Sequence, residues 1–287
     1  MRRRRWPKAV TGVLVFVTLA AGIVALLLAG LTSPLRPPIG AAGVGEGRLP
    51  VVLVAGVMSR GAGFARLTAA LQAEGTPVLD FDPAAPGIQP FSYMPLSSGQ
   101  HVGDLAATML QPAIKEALVR AGYDRDRQHV DIVAHSVGGL LARFLVERPG
   151  GAVDAGWAGR VDDLVLVATP NHGSWFGSRL ARAEHHSDWN GVAADFRPNS
   201  PFLIDLGTSE PAGEVYTTIG GEAWPLNWWS SDEDGDGRRH GHDGVVPAES
   251  PSLTGGLHAI EPRSHGKLLP ERRVIQRITA TLRATDR

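Results

Sequence analysis

Eighteen residues, Val130 to Glu147 (VDIVAHSVGGLLARFLVE), constrain this chain more than any other stretch. Val130-Asp-Ile-Val-Ala134 is a short, nearly continuous apolar run, the pattern of a strand buried on both faces. Val137 to Glu147 has helical spacing and is followed by Pro149-Gly150, a helix stop. The strand therefore passes into the helix with almost no loop. So tight a turn demands small residues two before and two after its apex, and Ala134 and Gly138 flank Ser136 at those places. The strain turns the Ser136 hydroxyl out over the sheet edge, and the helix behind it points its positive dipole end the same way.

The remaining pattern agrees with that unit. Residues 50–55, 77–81, 164–168, 215–219 and 257–260 read as further strands. Residues 64–74, 102–121 and 271–282 read as helices, the second kinked by Pro112. Apolar strands alternating with helices predict an α/β fold, a mostly parallel sheet with helices on both faces. Residues 49–287 suit one such domain. Ligands of these sheets bind at the carboxyl ends of the strands, so the informative residues should directly follow them.

Composition narrows the classes further. The chain has no cysteine, which excludes a disulfide scaffold, a thiolate metal site and a cysteine nucleophile. Of its 28 Lys and Arg, six precede Gly40 with no acidic residue among them, leaving 22 against 29 acidic residues in the rest. A mildly acidic body is not that of a nucleic-acid binder, and no nucleic-acid partner is expected. Residues 1–8 form a basic head. Residues 9–31 carry no charge over 23 positions, and a helix of that length spans about 34 Å, enough for a bilayer core. The arginines before it favour a cytoplasmic N-terminus and a body outside the membrane. A cleaved signal peptide with secretion of the body is the alternative. Residues 32–48 are Pro/Gly-rich and read as a linker.

A serine at such a turn is a candidate nucleophile, and acyl chemistry then needs three companions. Two backbone N–H groups must face the developing anion. Val137, next to Ser136, supplies one. The turn after the first strand supplies the other, from Val57 or, as second choice, Met58. A base must take the hydroxyl proton and an acid must orient the base, in the chain order Ser, Asp/Glu, His. His265 follows the last expected strand, and Asp243 opens Asp243-Gly-Val-Val-Pro247. Asp-Gly is also a turn dipeptide. Asp236 and Asp234 are the next candidates for the acid.

These stretches together resemble the α/β-hydrolase lipases and esterases, especially the bacterial triacylglycerol lipase and GPI-inositol-deacylase-like serine esterase groups. The resemblance rests on VVLVAG (51–56), VDIVAHSVGGLLARFLVE (130–147), VLVATPNHGSWFG (165–177), SPFLIDL (200–206), DGVVPAES (243–250) and SHGKLL (264–269). It implies an α/β-hydrolase fold with Ser136 as nucleophile, Asp243 as triad acid and His265 as base. The expected function is serine ester hydrolysis, with acyl-lipid esters as substrates and no cofactor required. Acyl transfer to a cell-envelope acceptor and a catalytically inactive binding module are the alternatives. Ala55 departs from the His these enzymes usually carry before the Gly, and Ala134 from the usual first Gly of the turn.

Two segments stand apart. Asp232, Asp234 and Asp236 read D-x-D-x-D-G, the first half of a calcium loop, so a structural Ca²⁺ is an expectation. The twelfth position of that loop is Asp243, which cannot both chelate an ion and act as the free partner of His265. Residues 171–211 have weak periodicity and several aromatics. They read either as a lid or acyl-chain wall or as ordinary core packing.

Overall fold

The computed structural model describes residues 48–57, 59, 61–94, 99–126, 128–148, 153, 157, 159–177, 190–209, 216–223 and 241–285. Strand β1 (Val51–Val54) is fully buried and leads through Gly56 to helix α1 (Ala65–Ala73). Helix α2 (Val102–Leu105) widens into a π-helical segment (Ala106–Leu110) and continues as α3 (Gln111–Arg120). The widening falls just before Pro112. A proline has no N–H for the ladder and its ring crowds the carbonyl one turn back, so the expected kink takes the form of a π-bulge.

Strand β2 (Val130–His135) passes directly into α4 (Val137–Glu147). Strand β3 (Val161–Val167) starts three residues earlier than its apolar run suggests. The stretch 171–211 contributes α5 (Asn190–Asp195) and α6 (Pro201–Leu206). Ser200 caps α6, its hydroxyl accepting from the Leu203 N–H at 3.1 Å, with Pro201 in the first turn. Strands β4 (Tyr216–Gly221) and β5 (Leu257–Glu261) and helix α7 (Arg272–Thr285) complete the order.

The five strands are all parallel, in the order β1-β2-β3-β4-β5. Side chains alternate between two cores. Val51, Leu53 and Ala55 join Leu67 of α1 and Val274 and Ile278 of α7 on one face. Val52 and Val54 join Leu110, Ile114 and Leu140 on the other. Each fully buried Val, Leu or Ile side chain among them contributes about 1.5–3 kcal/mol, and both faces of the sheet are covered this way. Phe196 is buried in the second core and Phe202 stacks on Phe144 with ring centroids 6.0 Å apart, so these two aromatics of the 171–211 stretch are packing residues.

One expectation fails. Residues 77–81 do not form a strand. They reduce to a parallel bridge between Val51 and Val78, held by Val51 N–H to Pro77 O at 2.8 Å and Leu79 N–H to Val51 O at 2.9 Å. Asp80 ends the ladder there. Its Oδ1 accepts the N–H groups of Asp82 and Gln89, at 3.1 and 3.0 Å, which turns the chain out of the sheet.

That bridge still defines the topology. The chain leaves β1, covers one face with α1, touches the outer edge of β1 at Val78, then returns over the other face through α2 and α3 to β2. The direction of winding reverses between β1 and β2, and the crevice beyond the carboxyl ends of those two strands is where such a sheet binds ligands. Residues 9–31, read above as a membrane span, lie outside the described residues. Among the described residues no helix is long and apolar enough to cross a membrane.

Candidate active site

Ser136 stands at the end of β2 with φ 55° and ψ −136°, outside the regions an L-residue prefers. The neighbours show why small residues surround it. A Cβ on Gly138 would lie 2.4 Å from the Ala55 carbonyl oxygen, and one on Gly139 2.0 Å from Thr169 Oγ1. A Cβ on Gly56 would lie 2.8 Å from the Ser136 Cβ. The turn after β1 therefore packs directly against the turn after β2, and any side chain in the contact would prise them apart.

Two loops bring polar groups to this point. His265 opens a 3₁₀ turn after β5, and its Nε2 is 3.0 Å from Ser136 Oγ. Its Nδ1 is 2.7 Å from Asp243 Oδ2. Asp243 is 2% exposed, and its second oxygen, Oδ1, accepts the N–H groups of Val245 and Val246, both at 2.8 Å. The two loops are also joined through the backbone, His265 N–H donating to Asp243 O at 2.9 Å. Ser136, His265 and Asp243, picked from distant parts of the sequence, thus form one hydrogen-bonded chain. Both Asp243 oxygens are engaged with protein groups. Asp232, Asp234 and Asp236 lie outside the described residues. Among the described residues no cluster of three or more His, Cys, Asp or Glu is arranged to hold a metal ion.

Val137 is the first residue of α4, so its N–H has no acceptor within the helix and points forward at the Ser136 end. Val57 lies in the turn closed by Ser59 N–H to Gly56 O at 3.1 Å, and its N–H donates to no acceptor among the described residues. Met58 lies outside the described residues.

The turn at 171–177 has a part that sequence reasoning missed. It clamps the Asp243 loop. Ser174 Oγ donates to Val245 O, next to the N–H groups that hold Asp243. Asn171 Nδ2 donates to Pro251 O at 2.7 Å, and Ser250 Oγ returns a bond to Gly173 O at 2.7 Å. His172 Nδ1 is 3.0 Å from Ser250 O, a shaping contact within this clamp. Both motifs were visible, but nothing in either one shows that they meet. His135 was missed too. It is buried beside Ser136, and burial, aided by His265 nearby, pushes its imidazole down to about 3.

Comparison with known proteins bears on the fold. A family model described as a domain of unknown function, DUF7379, matches residues 106–220. A sequence search of curated proteins found no match. Among solved structures, the mature form of Bacillus licheniformis lipase BlEst2 superposes with a TM-score of 0.59 at 15% identity, covering 87% of this chain and 96% of that one. EstA from Clostridium botulinum gives 0.55 at 11% identity, over 89% and 92% of the two chains. Phospholipase PlaB from Legionella pneumophila gives 0.55 at 15% identity, over 84% of this chain and 64% of that one. The chain has the α/β-hydrolase fold. Its structural neighbours are lipases and esterases.

Proposed function

We propose that the protein is a serine carboxylic-ester hydrolase acting on acyl-lipid esters. The observation that carries this reading is the chain of contacts Ser136–His265–Asp243, at 3.0 and 2.7 Å, at the strained end of β2. His265 Nε2 takes the proton as Ser136 Oγ attacks the ester carbonyl. The N–H groups of Val57 and Val137 receive the oxyanion. Asp243 holds the proton on Nδ1 and stabilises the cation formed on the ring. The tetrahedral intermediate collapses, His265 returns the proton to the leaving alcohol, and Ser136 is left acylated. Water, deprotonated by His265, then releases the acid. The chemistry needs no cofactor.

A lipid ester is favoured because the fold neighbours include a lipase and a phospholipase, and because the apolar segment 9–31 would hold the body beside a membrane, on its outer side. Hydrolysis of p-nitrophenyl esters of increasing chain length tests the reading. The full-length protein should hydrolyse butyrate to octanoate esters above the buffer rate, with Ser136→Ala at the buffer rate. Equal rates for the two proteins would overturn it.

A further inference from the structure

We infer that His135 is a positioning residue that sets the base loop against the nucleophile strand, a role that rests on the hydrolase reading above. Its Nε2 is 3.3 Å from the main-chain carbonyl oxygen of His265, and the two imidazole rings lie with centroids 4.7 Å apart. A carbonyl only accepts, so Nε2 carries the hydrogen and donates it. His265 has two other anchors, its N–H on Asp243 O and its Nδ1 on Asp243 Oδ2. Both tie it to the acid loop. Neither fixes where that pair of loops sits relative to β2. Apart from the contact with Ser136 itself, the His135 bond is the one hydrogen bond of His265 to β2 among the described residues. His135 and Ser136 are consecutive, so a bond to one registers the base on the other.

The surroundings keep the ring in that state. His135 is buried on the Gly56 side as well, where a Cβ on Gly56 would come within 3.3 Å of His135 Nδ1. That Nδ1 is buried without a hydrogen-bond partner among the described residues. A bare lone pair costs less there than a second N–H would, so the neutral Nε2–H form is favoured. The titratable groups facing it are His265 and, behind it, Asp243. Because the ring stays neutral, it holds the His265 backbone without adding a second cation when His265 is protonated during turnover. A leucine or phenylalanine would fill the space but give the carbonyl no donor.

The test uses the full-length chain with p-nitrophenyl butyrate and a fluorophosphonate probe. His135→Phe should lower kcat and the labelling rate about 10²-fold with KM within about twofold, since misplacing a base by about 1 Å has that effect. His135→Gln, whose amide Nε2 reaches the same carbonyl, should recover most of the loss. A merely structural role would instead lower both variants alike or change KM. For the case in which His135→Phe does not fold, ¹⁵N NMR of the wild-type histidines gives an independent reading. His135 should remain a neutral Nε2–H tautomer between pH 5 and 8. A ring that titrates in that range or carries its hydrogen on Nδ1 would overturn the role, as would a wild-type rate in folded His135→Phe. Wild-type protein that does not label would overturn the hydrolase reading, and this role with it.

Discussion

Asp243→Asn should lower kcat for p-nitrophenyl butyrate by about 10⁴-fold while leaving the fold intact, the size of effect expected when a triad acid becomes an amide. The site dictates the outcome because it dictates which way the amide faces. The Val245 and Val246 N–H groups both point at Oδ1, at 2.8 Å, and only an oxygen accepts them. The amide nitrogen must therefore take the place of Oδ2, 2.7 Å from His265 Nδ1. It donates there, so Nδ1 becomes the acceptor and the hydrogen moves to Nε2, facing Ser136. A ring in that tautomer cannot take the serine proton. Far-UV circular dichroism and kcat measured on the same preparation check both halves. A variant within tenfold of wild type would exclude Asp243 as the acid.

Arg143→Met should have the largest effect on stability. Arg143 is fully buried on α4, and its guanidinium grips Glu147 with Nε on Oε1 at 2.7 Å and Nη2 on Oε2 at 3.0 Å. It also reaches Asn171 Oδ1 at 3.2 Å and Gly207 O at 3.0 Å. Removing Arg143 leaves the buried Glu147 carboxylate without its ion-pair partner, which costs about 3–5 kcal/mol. In a domain of this size that lowers Tm by roughly 6–20 °C. Burial already raises the Glu147 carboxyl above its ordinary value, against the opposing pull of Arg143. Losing Arg143 raises it further. A carboxyl raised by folding binds more protons in the native state than in the unfolded one, so its contribution to stability falls as pH rises. The deficit of Arg143→Met against wild type should therefore shrink between pH 8 and pH 5, and the double variant Arg143→Met, Glu147→Leu should regain most of the loss. Differential scanning calorimetry across that range is the measurement. A deficit independent of pH would show that the ion pair is not its source.

Much of the fold and of the candidate site was legible because both are local around the strand ends. The β2–α4 unit reads directly from VDIVAHSVGGLLARFLVE, since a tight turn between a buried strand and a buried helix admits few residue types at 134 and 138. Asp243 and His265 were reachable because each follows a strand in the order this chemistry requires. Residues 77–81 misled because an apolar run does not reveal that Asp80 will turn the chain out of the sheet after one bridge. The clamp of Asn171, Ser174 and Ser250 on the acid loop, and the His135 bond to His265, are pairings between residues some 70 to 130 positions apart. Side-chain bonds to a distant carbonyl leave no periodic trace, so no pattern along the chain announces them.

The central claim is that Ser136 is a nucleophile activated by His265. A fluorophosphonate probe reacts with serine only where a base removes its proton and an oxyanion site receives the charge, so covalent labelling followed by peptide mass spectrometry tests that claim most directly. The account predicts a single phosphonylated serine, Ser136, in wild type, no label in Ser136→Ala, and labelling slowed by several orders of magnitude in His265→Ala. Unlabelled wild type, or a label on any other serine that persists in Ser136→Ala, would contradict it.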